Sequence, residues 1–145
     1  MPDTMIFDHI VETPGLVESI ARLAGDNQIE LLTTWIQEEQ LAKAPAEKKA
    51  LFGRVPRRQV GAGVFILGVS RLGEDRLGPS EPYDHVRGDG GNKHVADAMI
   101  AATASMDEAM LVTNDSRLTR RATHQGVAVV NFEAFRLTVL RLTGA

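Results

Sequence analysis

The chain has 145 residues, no cysteine, 43% hydrophobic residues and a formal net charge of -3. That length corresponds to about one domain with enough apolar surface for a core, and the cysteine count excludes a disulfide framework, a thiolate metal site and a thiol nucleophile. A pI near 5.8 argues against a protein that coats nucleic acid, which is usually basic. No segment has the pattern of a signal peptide or a membrane span, so a single cytoplasmic domain over residues 1–145, with no membrane partner, is expected.

From the amino end, Met5-Ile6-Phe7 reads as a short buried strand with Asp8 at its end. Thr13 as N-cap and Pro14 at the first helical position open a helix in which Leu16, Ile20 and Leu23 recur before Gly25 stops it. Residues 29–32 read as a second strand. Thr34 and Gln37 then have capping-box spacing for a helix running through Glu38, Glu39 and Leu41 toward Pro45. A short helix is expected over residues 46–52, punctuated by Gly53 and Pro56. Residues 64–69 are apolar without a decisive period, so strand and helix both fit. Residues 73–92, rich in Gly, Pro and Asp, read as a long surface loop.

The last third predicts a helix over 93–105, a strand over 110–112, a helix over 116–124 stopped by Gly126, a strand over 127–130 and a helix from Phe132. Alternating strands and helices predict an α/β fold with a mostly parallel sheet and helices on both faces. Ligands in such sheets collect beyond the carboxyl ends of the strands. Asp8 and Asp115 fall there directly, and Glu39 and Asp97 reach it from the early turns of adjoining helices; Glu38 is the alternative to Glu39. Asp97 stands at the start of a helix that is apolar almost all round, where a charge needs a partner or a metal.

Taken singly, Asp97 reads as an acid favoured by a helix dipole and Asp115 as an ordinary N-cap. Together the acids form a constellation that cannot stay ionised without compensating charge. With no Cys and no metal-pair spacing among His9, His85, His94 and His124, oxygen ligands point to Mg²⁺ or Mn²⁺. Lys48, Lys49, Arg54, Arg57 and Arg58 make one basic segment, and Arg117, Arg120, Arg121 and His124 a second just after Asp115. Tyr83 and Trp35 are candidates for base stacking, although Trp35 between Leu32 and Ile36 reads better as core.

Ile6-Phe7-Asp8, residues 33–39, Asp97-Ala98-Met99-Ile100-Ala101 and Val112-Thr113-Asn114-Asp115 together resemble the PIN-domain family, of the compact kind that includes the VapC-type toxin ribonucleases of toxin-antitoxin pairs. The resemblance implies a doubly wound domain that cleaves RNA endonucleolytically. Asp8, Asp97 and Asp115 would hold the metals, with Glu39 contributing directly or through water, so that a water is activated and charge on the scissile phosphate is stabilised. Thr113 and Asn114 would support the acids, and Arg117 and Arg120 would meet RNA phosphates. An antitoxin protein and a homodimer, formed through Phe65, Ile66 and Leu67 or through the helix with Leu16 and Ile20, are further implied partners.

The chain departs from the family pattern at two places. A small polar residue often follows the first acid of the family, where His9 and Ile10 follow Asp8, and Leu118 stands where an aromatic is frequent. Asp75, Asp84 and Asp89 are additional acids in the 73–92 loop. A non-catalytic PIN-fold protein that binds RNA or a protein partner is the alternative reading. A haloacid-dehalogenase-type phosphatase is disfavoured, because Ile10 stands where its second Asp is required.

Overall fold

The computed structural model describes residues 1–61 and 95–144, with side chains from residue 98 onward in the second stretch, and it opens on a helix rather than a strand. Helix α1 spans Thr4–Glu12. Ile6, Phe7 and Ile10 are all buried while Met5 is 66% exposed, so the apolar residues follow a helical face instead of the two-residue alternation of a strand. Asp8 therefore lies in the middle of a helix and not at a strand end. The extended segment is shorter and earlier: Pro2 bridges Val112 in parallel, the Asp3 amide donates to the Val112 carbonyl, and the Val112 amide donates to the Met1 carbonyl, both at 2.9 Å.

Helix α2, Leu16–Gly25, starts after Gly15, whose φ of +77° turns the chain. Thr13 closes α1 instead of capping α2. Its hydroxyl donates to the His9 carbonyl at 2.7 Å, because a helix start at Pro14 is incompatible with the left-handed turn one residue later. Strand β1 is Leu32–Thr33. Helix α3, Trp35–Ala42, carries the expected capping box between Thr34 and Gln37. Helix α4, Ala46–Phe52, follows as expected. Strand β2, Arg58–Gln59, was not foreseen; it is exposed and pairs in parallel with β1, Leu32 opposite Arg58.

Helix α5, Val95–Met106, is buried all round from Ala98 to Ala104, and the Thr103 hydroxyl is satisfied by the Met99 carbonyl one turn back at 2.7 Å. Strand β3, Leu111–Val112, and β4, Val129–Val130, pair in parallel. Between them α6, Ser116–His124, ends at Gly126 with a φ of +81°. Helix α7, Phe132–Leu142, begins at an Asn131 cap whose side chain accepts from the Ala134 amide at 2.8 Å.

The fold is α/β with short parallel strands, seen among the described residues as two separate pairs, β1–β2 and β3–β4. Adjacent strand residues enter different cores. Leu32 and Leu111 pack with α5 and with Leu118 and Ala122 of α6. Leu31 and Val112 pack with Ile6, Phe7 and Ile10 of α1, Leu16, Ile20 and Leu23 of α2, and Val139 of α7. Since successive side chains of an extended chain point to opposite faces, β3, and β1 together with Leu31 just before it, are apolar on both sides. Among the described residues no helix is long and apolar enough to cross a membrane. Residues 64–69, the 73–92 loop with its acids, Tyr83, His85 and His94 lie outside the described residues, as does the side chain of Asp97.

Candidate functional site

Thr113 follows β3 directly and is 1% exposed. A hydroxyl so enclosed must find partners. It donates to Asp3 Oδ2 at 2.9 Å and accepts from the Asp115 amide at 3.1 Å, so one side chain joins the start of α1 to the start of α6. Asp115 caps α6: its Oδ1 accepts from the amides of Arg117 at 2.9 Å and Leu118 at 3.1 Å. Asn114 is committed elsewhere, with Oδ1 accepting from the Phe132 amide at 2.9 Å and so holding the start of α7.

Asp3, at 7% exposure, is the acid at the end of the amino-terminal extended segment. Burial pushes its carboxyl above the usual carboxylate value, and the Asp115 charge adds to the rise; the Thr113 hydroxyl and the nearby Met5 and Thr4 amides oppose it. Asp3 thus takes the place that sequence reading gave to Asp8. Asp8 points toward α4, where it is 2.6 Å from Lys48, with Glu12 4.0 Å from the same ammonium. Lys48 is thus the cation nearest the Asp8 carboxylate and is shared with Glu12.

On α3 the inward acid is Glu38, not Glu39, which is exposed. Glu38 Oε1 accepts from the Thr33 hydroxyl at 2.8 Å and from Arg57 Nε at 2.7 Å, and Oε2 accepts from Arg57 Nη2 at 3.0 Å. Arg57 is itself fixed by donation to the carbonyls of Phe52 at 2.6 Å and Val55 at 3.1 Å, and its guanidinium lies 5.5 Å from the Phe7 ring centroid. Partial burial acts to raise the Glu38 carboxyl, but the Arg57 and Thr33 hydrogen bonds and the Arg57 charge outweigh it and hold the group below its ordinary value.

Gln37 connects this region to the first. Its Oε1 accepts from the Thr34 amide at 3.1 Å and its Nε2 donates to the Pro2 carbonyl at 2.7 Å, one residue before Asp3. Asp97 lies in the first turn of α5. Arg117, Arg120 and His124 are exposed at helical spacing on α6, with Leu118 and Ala122 buried on its other side, so a basic strip starts in the first turn after Asp115.

The structure thus links Asp3, Thr113 and Asp115 and pairs Asp8 with Lys48 of α4 instead. Sequence reading did not single out Asp3, and it placed Gln37 only in a helix cap and Arg57 only in a basic segment. Among the described residues no group of three or more His, Cys, Asp or Glu is arranged to hold a metal. Compared with protein-family models, curated proteins and solved structures, the chain matches none.

Proposed function

We propose that the protein is a Mg²⁺- or Mn²⁺-dependent endoribonuclease on a PIN-like doubly wound domain, with Asp3 rather than Asp8 as the first acid. The observation that carries this reading is the buried Thr113 hydroxyl, which donates to the Asp3 carboxylate and accepts from the Asp115 backbone amide, beside an Asp3 carboxyl raised by burial and, to a lesser degree, by the Asp115 charge. Their oxygen donors fit a hard cation. Two acids are an incomplete set, and in this proposal Asp97 supplies the third.

A bound cation would supply a nucleophilic water and neutralise charge at the scissile phosphate. The chain's own residues do the rest. Thr113 holds Asp3 in one orientation, the α6 amides fix Asp115, and Arg117 and Arg120 bind the phosphates on either side. Glu38, already neutralised by Arg57, shapes the α3 side of the site, and Glu39 is left as the acid that contributes from solvent. Water as nucleophile leaves products with 5′-phosphate and 3′-hydroxyl ends. A cognate antitoxin and a two-fold homodimer belong to the same proposal, the dimer being checked by sedimentation at micromolar concentration.

The test is cleavage of a labelled RNA with and without metal. Activity should require Mg²⁺ or Mn²⁺ and should disappear in Asp3→Asn and Asp115→Asn proteins that retain their fold. Cleavage that persists in EDTA, or in the double variant, overturns the mechanism. A folded protein that binds RNA and cuts none selects the non-catalytic alternative.

A further inference from the structure

Phe7 and Phe52 meet edge-to-face in the core, with ring centroids 6.4 Å apart, 78° between planes and both side chains buried. His9 and Phe132 form a different kind of pair. Their centroids are 5.2 Å apart with only 31° between planes, and both residues are partly exposed. The pair is tied to the acid rim through Asn114, whose side-chain oxygen accepts from the Phe132 amide at 2.9 Å and which sits in the chain between Thr113 and Asp115. Asn131 fixes the same helix start through the Ala134 amide, so the backbone carrying the Phe132 ring is held by two side-chain caps.

A partly exposed aromatic pair, with Phe132 seated on the core and its backbone held by Asn114 next to Asp115, suits a nucleobase. Stacking on a ring needs no base-edge hydrogen bonds and is sequence-tolerant, whereas the exposed arginines on α6 can follow the backbone. We infer that His9 and Phe132 form a stacking subsite for one nucleobase of single-stranded RNA beside Asp3 and Asp115. This rests on the ribonuclease reading for the identity of the ligand. It gives His9 a purpose that metal or acid-base chemistry does not.

The experiment measures binding of a short single-stranded RNA carrying one 2-aminopurine to the full chain in EDTA, where cleavage is absent. His9→Ala should weaken binding by at least fivefold, within the roughly 5- to 150-fold range of a single base–aromatic stack, and should relieve the quenching of the 2-aminopurine. His9→Phe should restore both, and Phe132→Leu, which keeps apolar volume but no ring, should behave like His9→Ala. A loss smaller than fivefold in folded His9→Ala, or failure of folded His9→Phe to restore quenching, overturns the subsite. If the native protein binds and quenches in a His9-dependent way yet cleaves no RNA with Mn²⁺, the nuclease reading falls and the subsite stands. If His9→Ala is unchanged while cleavage is metal-dependent, the reverse holds.

Discussion

A buried carboxyl with a neighbouring carboxylate is a cost to folding that its replacement removes. Asp3 has its carboxyl raised, so the stabilisation linked to it is present below the unfolded value and is lost as pH rises through the higher folded value. At neutral pH without metal, Asp3→Asn should therefore melt at a higher temperature than the native protein. The gain should shrink as the pH falls below the folded value, where native Asp3 is neutral as well; a lower melting temperature at pH 7 would contradict the assignment. Asp8→Asn separates the two acids cleanly. It removes a partly exposed pair with Lys48 near the surface, a kind of contact that contributes little, so its melting temperature and its metal response should stay close to native. Loss of the metal response in Asp8→Asn would return the first acid to that position.

At the scale of elements, Arg57 clasps α3, α4 and the approach to β2 through Glu38, Phe52 and Val55. Arg57→Met should cost about 2 kcal/mol in urea unfolding, since it leaves a half-buried carboxylate and two carbonyls without their donor. The pH dependence has the opposite sign to that of Asp3. Glu38 is held below its ordinary value, so its contribution is present above the unfolded pKa and lost as pH falls through the folded one; the variant should lose less stability in acid than the native protein. Gly126 ends α6 at a φ of +81° with open space around the position of a Cβ, so Gly126→Ala should cost about 1–2 kcal/mol from backbone strain alone.

Elements with local signals were readable from sequence. The Thr34–Gln37 box, the Asp115 cap and the Gly126 stop each lie within a few residues of the structure they specify. The amino-terminal segment was not, because Met5-Ile6-Phe7 is too short for period to separate strand from helix, and the exposure of Met5 is decided by what packs on α1. That reading put Asp8 at the end of the amino-terminal extended segment, where the structure has Asp3. β2 was invisible for another reason: Arg58 and Gln59 bury nothing, and only the distant β1 makes them a strand.

For the whole molecule, a cation that binds only the folded state stabilises by mass action. Millimolar Mn²⁺ should raise the melting temperature of the native protein and do so much less in Asp3→Asn or Asp115→Asn. No shift in the native protein would remove the metal from the proposal.

The two-sided strands carry one more consequence. With Leu31 and Leu32, or Leu111 and Val112, apolar on either face, sliding a strand by one residue exchanges one greasy side chain for another, so polarity cannot choose the alignment. Polar contacts at the strand ends can. Thr33 and Thr113 are both enclosed; Thr113 meets Asp3 across the pairing of β3 with the amino-terminal segment, and on the other side Arg57, one residue before β2, meets Glu38 beyond β1. These polar contacts therefore distinguish the two alignments where apolar burial does not, and Asp3, proposed for chemistry, makes one of them.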